Sequence, residues 1–220
     1  MDLSSVHLSG VWLLAHALYW PVFAFALLRA PWSILRQKDS SNIFFATCVA
    51  IFMVWQLKVT VAEGLALHLL GSTILTLMFR WQVAIIANAL IVLGATLTST
   101  ADFAGFAVNT WITGLLPIAI SYLVWRLNEW YLPANYFVYI FVAAFLCGGI
   151  SILASGFVSY QLLSLVDNLL TQEELDAYLL VFIPMMYPEA FLTGAVITVF
   201  VIYKPQWIST FDDQRYLKNK

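Results

Sequence analysis

Six polar side chains sit inside otherwise apolar stretches of this 220-residue chain: His16, Gln56, His68, Asn88, Asn109 and Glu189, with His7 just outside. Such groups are costly at membrane depth unless partnered, which makes them the first candidates for function. His68 follows Val61-Ala62-Glu63-Gly64 and precedes Leu69-Leu70-Gly71. A neutral imidazole there has a lone pair to offer a borderline transition metal, although a single helical histidine is more often a packing residue. His7 and His16 are nine residues apart, so at about 100° per residue they fall on opposite faces of any helix containing both. His7 is the better partner for His68, and His16 reads as a packing residue.

Glu189, in Met185-Met186-Tyr187-Pro188-Glu189-Ala190-Phe191, is a carboxylate in the middle of an apolar segment. It must be protonated or partnered. Two readings stay open: a proton or cation relay, or a structural clasp to Asn88, Asn109 or Gln56 on neighbouring helices. Pro188 adds freed backbone groups that also need partners. The P-loop, Gly-x-Ser-x-Gly, His-Glu-x-x-His and Cys-x-x-Cys patterns are all absent. An enzyme is therefore disfavoured, and a site joining Glu189 to His68 ranks last. Cys48 and Cys147 lie within apolar runs and read as small buried hydrophobes.

The elements that position these residues follow from composition. With 62% hydrophobic and 10% charged residues, the chain lacks the charged skin of a soluble domain. Apolar stretches at 10–30, 42–60, 64–79, 81–99, 107–127, 134–166 and 178–203 can each cross a core about 30 Å thick. The expectation is an all-α bundle of about seven transmembrane helices forming one transmembrane domain over residues 1–220. The third and fourth spans meet at Phe79-Arg80-Trp81-Gln82 and must form a tight antiparallel pair. The first span is too long for a signal-peptide core and has no positive flank, so it is expected to be retained.

Lys and Arg accumulate in cytoplasmic loops. Placing the first loop inside puts Arg29, Arg36, Lys38, Arg80, Arg126, Lys204, Arg215, Lys218 and Lys220 in the cytoplasm and leaves Lys58 outside. That arrangement gives an outer N-terminus and a cytoplasmic C-terminus. Asp2, Glu63, Asp102, Asp167, Glu173, Glu174 and Asp176 then face outward. They could gather cations, but Thr171-Gln172-Glu173-Glu174 reads better as a capped helix start. Trp20, Trp32, Trp81, Trp125, Trp130, Tyr131, Tyr203 and Trp207 have the distribution of interfacial anchors. Ala144, Gly148, Ser151 and Ser155 fall at helical spacing, as at a close helix contact. A net charge of −2 without a basic stripe argues against nucleic acid as a partner.

From about residue 44 onward, over three quarters of the chain, these features resemble the membrane substrate-capture subunit of cobalt and nickel energy-coupling-factor ABC transporters, the CbiM type. Phe52-Met53-Val54-Trp55-Gln56-Leu57 resembles the family's stretch before its outer loop, which leads into His68-Leu69-Leu70-Gly71. Phe106-Ala107-Val108-Asn109-Thr110-Trp111-Ile112-Thr113-Gly114 resembles its Asn-containing helix start, and Pro188-Glu189-Ala190-Phe191-Leu192-Thr193-Gly194 its last helix. The resemblance implies a permease component in the bacterial cell membrane that captures a divalent cobalt- or nickel-like cation. ATPase subunits and a coupling membrane subunit would be its partners, with no nucleotide on this chain and Ala26-Leu27-Leu28-Arg29-Ala30 as a weak contact segment. It also implies a metal site in which an N-terminal Met-His pair meets the histidine of His-Leu-Leu-Gly. Here His68 matches, whereas the chain reads Met1-Asp2-Leu3, so the implied ligands are Met1, Asp2 and His68, with His7 as a substitute for the missing imidazole. Asp2 is a harder ligand than histidine. The alternative is a membrane-embedded accessory or metal-centre assembly protein that does not itself transport.

Overall fold

The computed structural model describes residues 2–3, 11–36, 38–62, 65–98, 103–165 and 171–216. Among them, six long helices carry the fold: α1 (Val11–Arg29), α2 (Lys38–Gln56), α3 (Ser72–Thr98), α4 (Phe103–Tyr131), α5 (Tyr136–Ser164) and α6 (Gln172–Tyr203). α4, α5 and α6 are each long and apolar enough to cross a bilayer, and α3, equally apolar over its length, is interrupted at Arg80. Large side chains such as Leu28, Tyr131, Phe191 and Tyr203 stand exposed on the helices, as expected where lipid rather than water covers the outside. A small antiparallel sheet sits at one end, built from β1 (Asp2–Leu3), β2 (Val59–Ala62) and β3 (Leu65–Leu67) in the order β1-β3-β2.

The expected third span, 64–79, is helical only from Ser72. Residues 65–67 form β3, and the chain then runs through a loop, His68–Gly71, before the helix begins. The helical part up to Phe79 is eight residues long, about 12 Å at 1.5 Å per residue, less than half a bilayer core. The second span likewise ends as helix at Gln56, and 59–62 are strand instead.

The expected reversal at Arg80 is present. Arg80 has φ 63° and ψ 166° in the middle of α3, a region essentially reserved for glycine and costing about 1–3 kcal/mol for other residues. The side chains of Ser72 and Asn88 both donate to the carbonyl of Thr113, Asn88 from 3.3 Å. In one straight helix those two residues would stand about 24 Å apart, so α3 folds back on itself at Arg80. The shared acceptor lies in a π-helical turn of α4, Trp111–Leu115, where the wider winding leaves carbonyls for outside donors. Ser155 of α5 takes the preceding carbonyl, that of Ile112, at 2.9 Å.

A break inside a helix orphans carbonyls, and the C-terminal tail supplies their donors. The Ser209 N–H reaches the Met78 carbonyl at 3.0 Å, while the N–H and Oγ1 of Thr210 reach that of Leu77 at 3.3 and 2.7 Å. Trp125 is buried rather than interfacial, and its indole N–H donates to the Thr210 carbonyl at 3.2 Å. The α5 stripe makes the close contacts its spacing implied: Gly148 lies against Thr193 of α6, and Ser151 joins Thr73 and Ser121 in a buried hydroxyl cluster. At the start of α6, Thr171 and Glu174 form a full capping box, so the helix begins at Gln172, ahead of the expected span, and these carboxylates serve a helix end. Glu63, Asp102 and Asp167 lie outside the described residues.

A Cβ on Gly114 would stand 2.0 Å from Oδ1 of Asn88. Gly114→Ala is therefore expected to cost about 1–3 kcal/mol through overpacking, read as a lower Tm in detergent. Adding Asn88→Ala should recover part of that loss, whereas equal Tm values for wild type and Gly114→Ala would contradict the close approach of the α3 return arm to α4.

Candidate functional site

The loop that carries His68 is irregular backbone inside a membrane bundle, so each of its polar groups needs a protein partner. Glu189 supplies two. Its Oε2 accepts the Leu70 N–H at 2.7 Å and its Oε1 the Gly71 N–H at 2.9 Å. The carboxylate is fully buried and sits at the positive end of the helical segment that starts at Ser72, where an anion is favoured. Gly71 has φ +68°, a conformation that brings its own N–H and that of Leu70 onto one carboxylate and that glycine adopts without strain. The Leu70 carbonyl, in turn, accepts the Trp55 indole N–H at 3.2 Å.

These contacts fix His68, which is 2% exposed. Its ring lies against Trp55, with centroids 4.2 Å apart and planes tilted by 36°. Nδ1 is 2.9 Å from the Leu69 carbonyl; a carbonyl can only accept, so Nδ1 carries the proton and Nε2 the lone pair. In that tautomer the ring is neutral and presents Nε2, the form a metal ligand takes.

The N-terminal strand is brought to the same place. β1 pairs antiparallel with β3, Asp2 opposite Ala66 and Leu3 opposite Leu65. The start of β1 is therefore directed toward the His68 end of β3. β1 also touches the Phe106–Thr110 turn of α4, which contains buried Asn109. Three of the sequence candidates thus stand on segments that converge: Asp2 on β1, His68 after β3, and Asn109 on α4. Met1 and His7 lie outside the described residues.

The structure separates the other candidates from this cluster. Gln56 is exposed, with its amide turned back to the Phe52 carbonyl of its own helix at 3.4 Å. Asn88 belongs to the α3 hairpin, and His16 lies 3.2 Å from the Ala104 carbonyl at the entry to α4. Glu189 is a clasp, as one of its two readings had it, but onto backbone rather than onto Asn88, Asn109 or Gln56. Trp55, Gly71 and Ser72 were not singled out in sequence. The spacing of Trp55 ahead of a His-Leu-Leu-Gly loop was the available signal for the first two. Among the described residues no three His, Cys, Asp or Glu side chains form a ready metal cluster.

Two solved structures share this helical fold. One, described as a truncated transition metal transporter, superposes with a TM-score of 0.74 at 16% identity and covers 92% of this chain and 99% of its own. The other, described as a transition metal transporter, gives 0.71 at 18% identity and covers 94% and 92%. No curated protein matches the chain. The family model CbiM, the cobalt uptake substrate-specific transmembrane region, matches residues 7–207, and the chain belongs to that family. It is therefore a membrane component of metal uptake rather than an enzyme, with a transition metal as its substrate.

Glu189→Gln keeps the shape but aims an NH2 at one of two buried backbone N–H groups. The loss is expected to be about 1–3 kcal/mol, measured as a lower Tm together with faster hydrogen exchange at Leu70 and Gly71. Unchanged exchange at both amides would show that the loop is held by something else.

Proposed function

We propose that this chain is the substrate-capture component of an energy-coupling-factor ABC transporter, taking up a divalent cobalt- or nickel-like cation at the outer face of a bacterial cell membrane. The observation that carries this reading is the pairing of β1 with β3, which directs the N-terminal segment toward buried His68. In this reading Nε2 of His68 is one ligand, and Met1 and Asp2 supply the others through amine, backbone nitrogen or carboxylate, with His7 able to replace the absent second-position imidazole. Asn109 and Glu189 support the site without ligating. An Asp2 carboxylate would make the donor set harder than one of nitrogens alone and would tilt selectivity toward cobalt over nickel.

Uptake against a gradient needs an energy source, and the chain has no nucleotide-binding motif, so cytoplasmic ATPase subunits and a coupling membrane subunit complete the transporter in this proposal. The face bearing Arg80, Arg126 and Arg215 is its cytoplasmic side, in accord with the bias of basic residues. Ala26 and Ala30 are buried within the bundle, so a partner contact on α1 would use the exposed Leu28 side instead.

Titration of the purified protein with cobalt and nickel is expected to find one ion per chain. Affinity should fall by about 100-fold or more in His68→Ala, with a smaller loss in Asp2→Ala. Absence of binding to either metal, or wild-type affinity in His68→Ala, would rule out this capture site.

A further inference from the structure

A cavity of about 340 Å³ opens at the far end of the bundle from His68, where the α3 turn, the end of α4 and the C-terminal tail meet. Three guanidinium groups line it, from Arg80, Arg126 and Arg215, against two carboxylates, Glu129 and Asp212. Glu129 is already shared: its two oxygens accept from Arg126 at 3.2 Å and Arg215 at 2.9 Å. Arg215 also donates to the Glu129 carbonyl at 2.6 Å. Arg80 is exposed, and neither ion pair of Glu129 uses it. The lining thus keeps an excess of positive charge, centred on Arg80.

The identity of residue 80 is itself informative. A turn at φ 63°, ψ 166° is one that glycine makes without strain. Arginine there carries backbone strain that glycine would not, while its exposed side chain faces the cavity. Strain of this kind collects at functional positions.

The cavity's height and walls say what the cation would meet. Trp81 and Tyr122 line it; Trp81 stacks on Phe25 at 6.0 Å, and the Arg29 guanidinium lies 5.4 Å from the centroid of the same Phe25 ring. Aromatic side chains beside guanidinium groups at the end of membrane helices mark the headgroup level, and basic pockets between such helices accept anionic headgroups. The volume lies in the range of small-ligand sites and has room for a phosphate with its ester substituent. We propose that this cavity binds the phosphate of an anionic phospholipid headgroup, with Arg80 as the principal cation.

The test compares wild type with Arg80→Gly, which removes the cation and relaxes the turn, so a folding defect cannot imitate the result. Dioleoyl phosphatidylglycerol, dioleoyl phosphatidylcholine and inorganic phosphate are added separately to the full chain in a neutral detergent, and binding is read by native mass spectrometry and thermal shift. The proposal predicts phosphatidylglycerol binding over phosphatidylcholine. It further predicts about tenfold or greater weakening in Arg80→Gly, with the lipid-free Tm of that variant equal to or above wild type. Millimolar phosphate that fails to displace the lipid supports a headgroup site. Phosphate that binds alone and displaces it assigns the site to free phosphate and overturns the lipid reading. Equal binding of both lipids, or an Arg80→Gly variant that binds phosphatidylglycerol as wild type does, overturns the proposal, and the latter would leave an acidic segment of a partner protein as the better occupant.

Discussion

The structure depends on one carboxylate meeting two backbone amides. A loop that leaves the surface and enters a helical bundle exposes N–H groups that no water reaches, and each would cost several kcal/mol if left bare. Glu189 accepts both of the N–H groups that precede the Ser72 helix. The same contact answers the opposite problem, since a buried carboxylate is tolerated only where donors and a favourable field surround it. Neither partner would be stable there alone. Together they pin α6 to the loop at a point two residues beyond His68.

The α3 hairpin is the second half of that arrangement. Because the arm from Ser72 to Phe79 is short, its N-terminus stops in the interior of the bundle rather than at a surface, and that is where Glu189 meets it. Its other end is closed by the tail, through Ser209 and Thr210 on the Met78 and Leu77 carbonyls. The return arm is locked at the same depth as the loop, with Ser72 and Asn88 on one carbonyl of α4. A half-length helix satisfied at both ends by other parts of the chain is a rigid support. His68 inherits that rigidity through Leu69–Gly71 and through the face of Trp55.

Much of this was legible in the sequence, and the parts that were not have physical causes. The membrane bundle followed from apolar length, and the reversal at Arg80 followed from two apolar stretches with no room for a loop between them. The third span begins later in the structure than its hydropathy implies, because Leu65-Ala66-Leu67 and Leu69-Leu70 are as apolar as a membrane helix. Hydropathy reports burial and cannot distinguish a strand and loop buried in protein from a helix facing lipid. Glu189 is legible as a group needing partners, and the polar side chains of neighbouring helices are the only partners that a sequence displays. Backbone donors carry no sequence signature, apart from the glycine at 71 that lets one turn toward the carboxylate. Trp125 reads as an interfacial anchor in the sequence because its position near a helix end is the same whether its ring faces lipid or, as here, a folded-back tail. β1 could not be foreseen at all, since a two-residue strand has no periodicity.

If the clasp sets the position of His68 for the proposed metal site, then Glu189 must matter to metal affinity without touching the ion. The most direct measurement is a cobalt titration of Glu189→Gln beside wild type, following the visible absorption of the bound ion. The account predicts affinity reduced by about 10–100-fold, as for groups that orient a ligand, with one ion still bound and an unchanged spectrum. Wild-type affinity would contradict the clasp's role in positioning His68, and an altered cobalt spectrum would mean that Glu189 is itself a ligand.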